Sequence, residues 1–218
     1  MFTGYLQNVL TDRADLEAMA TTRERLKDRF PKGGTRRMTQ LGMLVGSVLG
    51  PLDPGENDTL VYASEFAETQ ALEGYLDSFP SASPTLFQTS IHPSAVQQIL
   101  IQRQQPVRTF FPMTGLTRLV AQALEVVFLA ETPRVILCGG EERGTWLLAS
   151  GIASERSFAF ACALTREKSE NAVGTICFAP ECEIVGEISL QTFFEALHER
   201  RPLAIGEQNA PWLKLSWS

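Results

Sequence analysis

The feature that most constrains this chain is an alternation of short apolar segments, rich in strand-forming residues, with longer segments of helical periodicity. Residues 59–63 predict a strand bounded by turn residues, and residues 65–79 return to helical spacing. The alternation continues with a helix over 94–102, a strand over 107–111, a helix over 116–130 and a strand over 134–138. Because short apolar strands joined by long helices form sheets with covered faces, this order predicts an α/β fold.

The flanking segments follow other patterns. A charged helix is predicted at the surface over 15–30, and a largely buried helix over 36–49. Later in the chain, strands over 158–164 and 175–178 are separated by a charged turn, which predicts an antiparallel hairpin. A helix over 190–199 and a period-two strand over 213–217 follow. The run Gly139-Gly140-Glu141-Glu142 predicts a tight turn after its strand.

Composition narrows the classes of function. With 218 residues, 44% of them hydrophobic, the chain is long enough to bury a core, and we expect one domain over 1–218. A formal net charge of -6 argues against nucleic acid as a partner, because no broad basic surface is available to neutralise phosphates. The N-terminal residues lack a basic segment, and no apolar run is long enough for a membrane span. We therefore expect a cytoplasmic location.

The cysteines do not form a recognisable ligand set. Cys138, Cys162, Cys177 and Cys182 contain no CxxC pair, and the first two lie in apolar runs, as free thiols in a reducing compartment do. Cys177 and Cys182 are spaced more widely than a zinc knuckle, and no second pair of ligands accompanies them. We expect neither a metal site nor a cofactor.

The two histidines limit acid–base chemistry. His92 lies among the hydroxyls of Ser90 and Ser94, so a hydrolase or acyltransferase site of Ser90, His92 and Ser94 is one hypothesis. A histidine before a proline at a helix start is more often structural, and we favour that interpretation. His198 lies at a helix C-terminus beside arginines, which indicates a solvated helix end rather than catalysis.

Several segments, in fixed order, carry a resemblance to a known family. The most specific is Ser83-Pro84-Thr85-Leu86-Phe87-Gln88-Thr89-Ser90-Ile91-His92, which is similar to a Ser-Pro-x-x-Phe-x-x-Ser-(Val/Ile)-(His/Asn) segment. It lies between matches at 37–41 and 60–64 and further matches at 107–109, 119–121 and 135–141. Together they resemble the N-terminal half of β-ketoacyl synthases of the thiolase-like superfamily, especially the divergent family found in aryl-polyene-type clusters. The resemblance is strongest over 35–165 and implies a three-layer thiolase-like half-fold.

The same resemblance locates the nucleophile position. When the chain is aligned on Leu119-Val120-Ala121, the family's Ala-Cys-Ser-Ser-Ser falls on residues 114–118 and its cysteine on Gly115. Glycine has no side chain to acylate, so the resemblance implies loss of covalent catalysis. Full synthases also carry a C-terminal half with two catalytic histidines, and no residue here matches those roles.

These observations leave three hypotheses of function. The first is a catalytically inactive, ketosynthase-like accessory protein that acts with a ketosynthase or acyl-carrier protein in polyketide or fatty-acid-like biosynthesis. Self-association as a homodimer is a further expectation from the resemblance. The second is the Ser90/His92/Ser94 enzyme. The third is a non-catalytic binder of an acyl or aromatic small molecule, its pocket lined by Phe110, Phe111, Met113, Thr114 and Gly115.

Overall fold

The fold is built on one eight-stranded sheet. The computed structural model describes residues 1–180, 186–207 and 209–218. In chain order the strands are β1 (Phe2–Asp15), β2 (Asp58–Ser64), β3 (Thr109–Thr114), β4 (Arg134–Glu141), β5 (Ser157–Thr165), β6 (Gly174–Phe178), β7 (Leu203–Glu207) and β8 (Ala210–Trp217).

Helices of varied length connect these strands. In chain order they are α1 (Met19–Leu26), α2 (Gln40–Leu49), α3 (Thr69–Asp77), α4 (Pro84–Ser90), α5 (Ser94–Arg103), α6 (Leu119–Leu129), α7 (Trp146–Ala149) and α8 (Leu190–His198), with 3-10 turns at Lys27–Arg29, Gly34–Arg37 and Gly50–Leu52. No helix in the described part of the chain is both long and apolar enough to cross a bilayer.

The sheet has a parallel part and an antiparallel part. Its strand order is β3-β2-β4-β5-β1-β6-β8-β7. Strands β3, β2 and β4 run parallel to one another, whereas each remaining pair is antiparallel. Parallel neighbours need crossover connections, and helices α3 to α6 provide them between β2, β3 and β4. The predicted α/β class, a mixed sheet flanked by helices, is confirmed.

Strand β5 shows how the two faces are packed. Its Phe158, Phe160 and Cys162 belong to a core cluster with α6 and α8, whereas Ala159 and Ala161 belong to a second cluster with α2 and α5. Small side chains on the second face let α2 lie close to the strand, and all ten residues of α2 are buried. Each large apolar side chain so buried contributes about 2 kcal/mol. Helices therefore cover both faces of the sheet.

Two strand predictions need correction. The strands predicted over 158–164 and 175–178 exist as β5 and β6, but they do not form a hairpin, because β1 lies between them and is antiparallel to both. The Gly139-Gly140 pair is not a turn: both residues lie inside β4. A Cβ at Gly139 would lie 2.5 Å from the Ala63 carbonyl oxygen, so the close approach of β2 requires glycine there.

The helices differ from prediction mainly at their ends. The buried helix predicted over 36–49 begins at Gln40, after a 3-10 turn, and the helix predicted over 65–79 begins only at Thr69. The helix predicted over 15–30 is shorter, because β1 continues to Asp15. Sequence patterns did not predict β1, α4, α7 or β7. The period-two tail is confirmed as β8.

Candidate functional site

The candidate site lies where the parallel strands end. Ser64, the last residue of β2, pairs in register with Thr114, the last residue of β3. Gly115 follows at once, and a turn over 116–118 leads into α6. Glu141 ends β4, the other neighbour of β2. In open α/β sheets ligands bind beyond the carboxyl ends of parallel strands, so the segment with Gly115 occupies the expected place for a site.

Gly115 has room for a side chain. The atoms nearest to a Cβ built there are Gln122 Oε1 at 3.8 Å and Leu119 Cβ at 3.9 Å, which are ordinary contact distances. Gly115 is also not among the glycines with a positive φ, so an L-residue would adopt its backbone conformation without strain. Neither close packing nor backbone geometry requires glycine here. The fold therefore does not require glycine at position 115.

Helix α6 keeps the features that would favour an anion near its start. Its N-cap, Arg118, makes no side-chain hydrogen bond to the helix, so the first backbone N–H groups are not capped by a side chain. Apolar residues such as Leu119 and Leu124 bury the helix in the core cluster on its face of the sheet. A helix N-terminus stabilises negative charge, but Gly115 provides no group that can ionise.

Glu141 holds the turn that follows β2. Its carboxylate accepts hydrogen bonds from the Ser64 hydroxyl at 3.0 Å, from Phe66 N–H at 3.1 Å and from Glu65 N–H. Burial disfavours the charged form and raises the pKa of Glu141 to about 8, although these hydrogen bonds oppose the shift. The carboxyl group is thus occupied by neighbouring donors and acts as a structural anchor of the site.

Glu142 joins the starts of two helices. It accepts hydrogen bonds from Leu41 N–H at 3.0 Å in the first turn of α2 and from Gln70 N–H at 2.7 Å in the first turn of α3. Burial raises the pKa of Glu142 to about 7, against the effect of these donors. A buried acceptor at two helix N-termini satisfies backbone N–H groups that would otherwise lack partners.

Glu65 connects the site to the last helix. Its Oε1 accepts a hydrogen bond from Leu190 N–H, the first residue of α8, at 2.6 Å. Burial raises the pKa of Glu65, and the hydrogen bond from Leu190 opposes that shift. The segment beyond β2 is therefore fixed on one side by Glu141 and on the other by α8.

The five residues predicted to line a pocket are distributed over both faces of β3. Phe110 packs against the cluster that contains α2 and α5, whereas Met113 packs against the cluster that contains α6. Phe111 is 39% exposed, and Thr114 is exposed at the strand end beside Gly115. Side chains alternate along a strand, so Phe110 points away from the face that carries α6 and Gly115.

The two serines of the enzymatic hypothesis are engaged elsewhere. The Ser90 hydroxyl donates to the Phe87 carbonyl at 2.8 Å, and the Ser94 hydroxyl donates to the Thr89 carbonyl at 2.7 Å. Within the described residues, no hydrogen bond joins either serine to His92. The structure therefore places the three residues near one another without assembling a nucleophile and base.

His92 belongs instead to a buried polar cluster. Its ring stacks on Tyr62 with centroids 5.0 Å apart, and its Nδ1 lies 3.6 Å from Glu68 Oε2. The other oxygen of Glu68 accepts a hydrogen bond from Ala95 N–H at 2.8 Å, at the start of α5. Burial raises the pKa of Tyr62 well above its usual range. Glu68 carried no sequence signal, because its role depends on a segment 27 positions away.

The remaining candidate side chains lie apart from this site. Cys138 and Cys162 are buried free thiols whose pKa values burial raises, and Cys177 is a partly buried free thiol. Cys182 lies outside the described residues. His198 ends α8, where its Nδ1 lies 2.9 Å from the Thr11 hydroxyl. In the described ranges, no group of three or more His, Cys, Asp or Glu side chains could hold a metal ion.

Comparison with known proteins identifies the fold. No protein-family model matches the sequence, and no curated protein sequence matches it either. The structure is similar to a chain from a complex described as a ketosynthase (ApeO) with its chain length factor (ApeC) from Xenorhabdus doucetiae, with a TM-score of 0.65 and 20% identity over 100% of both chains.

Two further solved structures have a fold similar to that of this chain. The ishigamide ketosynthase/chain length factor matches with a TM-score of 0.59 and 10% identity over 78% of this chain. A β-ketoacyl synthase from Burkholderia phymatum STM815 matches with a TM-score of 0.56 and 12% identity over 82% of this chain. In both cases this chain spans 64% of the matched chain. The thiolase-like fold of ketosynthases, predicted from the ordered motifs, is confirmed.

Proposed function

We propose that this chain is a non-catalytic, ketosynthase-like subunit that acts in the cytoplasm with an active ketosynthase or an acyl-carrier protein. Its pathway would be polyketide or fatty-acid-like biosynthesis of the aryl-polyene type. The observation that carries the proposal is Gly115, which follows β3 and precedes α6 at the position that the resemblance assigns to the nucleophilic cysteine. A ketosynthase forms a thioester on that cysteine, and glycine cannot form one.

The neighbouring groups do not replace the missing nucleophile. Glu141 is a buried carboxyl at the end of β4, and it accepts one hydrogen bond from the Ser64 hydroxyl and two from the turn that follows β2. Cys138 and Cys162 are fully buried in the sheet, where burial raises their pKa values and suppresses the reactive thiolate. These placements support a role that does not depend on covalent catalysis.

The end-to-end structural match supports a role in a complex. The matched chain comes from a complex of a ketosynthase with a chain length factor, and the two chains cover each other completely. A chain with this extent of the fold therefore has a structural counterpart in a ketosynthase assembly. An accessory partner of a ketosynthase is the function that fits both this match and the glycine at position 115.

The edge of the sheet at β3 offers a surface for such a partner. Strand β3 is paired only with β2 and forms one end of the described sheet. Phe111 on this edge is 39% exposed. An edge strand has unpaired backbone groups that can bind a strand of another chain, whether a ketosynthase or a second copy of this protein.

Native mass spectrometry of co-expressed proteins tests the proposal. The chain is produced together with the ketosynthase and the carrier protein whose genes lie nearest to its own, and the masses of the intact assemblies are measured. We expect a stable heterocomplex in which this chain carries no acyl group. A free chain that carries an acyl adduct would contradict the proposal and direct attention to Ser90, Ser94 and the cysteines. A free chain without an adduct would exclude these two proteins as its partners.

A further inference from the structure

A groove lies on the face of the sheet opposite to Gly115. One wall is a face of α4 that includes Thr85 and Gln88, and the other is a face of α5 that includes Gln98 and Gln102. The groove has a volume of 590 Å³, within the range of sites that hold small ligands. Helix α5 packs in the cluster with α2, whereas α6 packs in the cluster on the other face. The groove is therefore separate from the site of the proposed function.

The groove carries amide side chains that the fold does not use. Four glutamines line it, and in the described part of the chain none of their side chains has a hydrogen-bonding partner: Gln88, Gln97, Gln98 and Gln102. Some glutamines elsewhere behave differently. Gln40 donates to the Thr22 hydroxyl at 2.8 Å, and Gln70 donates to the Arg143 carbonyl at 2.9 Å. Gln104 and Gln122 also have free side-chain amides, but they lie outside the groove, so four of the six free glutamine amides among the described residues line it.

One of these glutamines, Gln98, has a buried side-chain oxygen. Its Oε1 has essentially no accessible surface and no donor among the residues that the structure describes. It lies 3.7 Å from the position that a Cβ at Gly42 would occupy, near the start of α2. Buried acceptors are nearly always paired in folded proteins, and an unpaired one needs an explanation. A donor from a bound ligand, reached after a small rotation of the amide, would supply the missing partner.

Arg37 gives the groove its charge. The guanidinium is exposed, and within the described ranges it makes neither an ion pair nor a hydrogen bond. The nearest arginine along α5 is engaged, because Arg103 donates to the Gly50 carbonyl at 2.8 Å. None of the described residues that line the groove is acidic. Arg37 is therefore free to bind the carboxylate of a ligand with two parallel hydrogen bonds.

The spacing of the lining residues indicates the shape of the ligand. They repeat along α5 at Ser94, Gln97, Gln98, Ile101 and Gln102, which is one face of the helix. Ser94 and Gln102 are eight positions apart, about 12 Å along a helix axis. An extended peptide rises about 3.3 Å per residue, so about four residues fit that length.

We propose that this groove binds the carboxyl-terminal end of a peptide chain in extended conformation. A glutamine amide offers one donor and one acceptor, and so matches the N–H and C=O of a peptide bond. Arg37 would bind the terminal carboxylate, and Met38, Ile91 and Ile101 would contact apolar side chains. The ligand therefore needs both amides and a terminal carboxylate, which a fatty acid or a free anion does not combine.

Titration by NMR of the intact chain tests this site. The probes are mixtures of acetylated tetrapeptides with positions drawn from Ala, Leu, Phe and Ser, one ending in a carboxylate and the other in a carboxamide; hexanoate is the third probe. We expect the peptide acids to shift the side-chain amide signals of Gln98 and Gln102. Loss of a two-fold hydrogen-bonded ion pair should weaken binding about tenfold in Arg37→Gln and with the carboxamide peptides.

Arg36→Gln is the matched control, because Arg36 is an exposed neighbour that does not line the groove. It should bind the peptide acids as the wild type does. Equal binding of acids and carboxamides, or of wild type and Arg37→Gln, would overturn the proposal. So would equal shifts with hexanoate, which would mean that only an anion is bound. Absence of any shift at about 10 mM peptide, an affinity weaker than about 3 kcal/mol, would overturn it as well.

Discussion

The carboxamide of Gln122 lies beside Gly115: its Oε1 is 3.8 Å from the position that a Cβ at residue 115 would take. Gln122 is in the first turns of α6, so it faces the segment that connects β3 to that helix. A Cβ at this position would make only ordinary contacts with this amide and with Leu119. Residue 115 therefore has no reactive side chain, although its surroundings leave room for a Cβ.

A cysteine placed at this position should be accessible and reactive. We expect Gly115→Cys to fold, and its thiol to react with iodoacetamide much faster than the buried Cys138 and Cys162, whose pKa values are raised by burial. Peptide mapping by mass spectrometry after timed alkylation measures each thiol. Labelling of Cys138 before residue 115 would show that the segment after β3 is closed to solvent.

The sequence predicted the parallel half of the sheet better than the antiparallel half. Strands β2 to β4 and helix α2 are periodic apolar segments, and local patterns are sufficient to identify them. Strand β1 was missed because its polar side chains have partners far along the chain. Gln7 donates to the Thr165 hydroxyl at 2.7 Å, and Asp12 accepts from the Ser47 hydroxyl at 2.6 Å. Such pairings exist only in the folded structure.

Contacts between distant segments also limited the prediction of the candidate site. The motif order identified Gly115 and the strand before it, because these residues are consecutive in the sequence. The anchors Glu65 and Glu68 contact segments that are 125 and 27 positions away. The pair Gly139-Gly140 had a visible signal, but glycine serves both turns and close contacts, and only the neighbouring strand decides between them.

Replacement by alanine should affect stability differently at Gly139 and at Gly115. A Cβ at Gly139 would lie 2.5 Å from the Ala63 carbonyl oxygen, and backbone atoms there cannot move away easily. We expect Gly139→Ala to lower the free energy of unfolding by about 3 kcal/mol. Gly115→Ala is the matched control and should change it by less than about 1 kcal/mol. Urea denaturation compares them, and equal losses would contradict the assignment of Gly115 as an unconstrained position.

The buried carboxyl of Glu142 should make stability depend on pH. Its pKa is raised from 4.5 to about 7, so between these values the folded chain binds a proton that the unfolded chain releases. Stability is therefore fullest below pH 4.5 with respect to this group and falls as the pH rises through 7. The slope from one such group is up to about 1.4 kcal/mol per pH unit.

Glu142→Gln removes this titration and keeps one acceptor oxygen. Urea denaturation at intervals from pH 5 to 8 should give a flatter dependence on pH for the variant than for the wild type, even if the variant is less stable throughout. Glu56→Gln, at an exposed side chain, is the control and should keep the wild-type slope. A Glu142→Gln slope equal to that of the wild type would mean that Glu142 titrates in the folded chain as it does when unfolded.

The last prediction concerns the edge of the sheet at β3. If a partner or a second copy pairs with this strand, a charged side chain at position 111 either becomes buried in the interface or prevents the strands from pairing. Both results disfavour association. We expect Phe111→Lys to weaken the proposed complex with a ketosynthase, or the proposed homodimer, by at least about tenfold, which corresponds to about 1.4 kcal/mol. Analytical ultracentrifugation over a range of concentrations measures the change.

The control for this experiment is an apolar residue that is also exposed but lies away from the edge strand. Leu129, at the end of α6, is 64% exposed, so Leu129→Lys makes the same change of surface chemistry without altering β3. If both variants associate as the wild type does, the partner binds elsewhere and β3 is an unpaired edge in the assembly. If Phe111→Lys and Leu129→Lys weaken association equally, the association depends on general surface hydrophobicity and not on β3. Loss confined to Phe111→Lys is the result that locates the interface on β3, since that strand continues directly into Gly115.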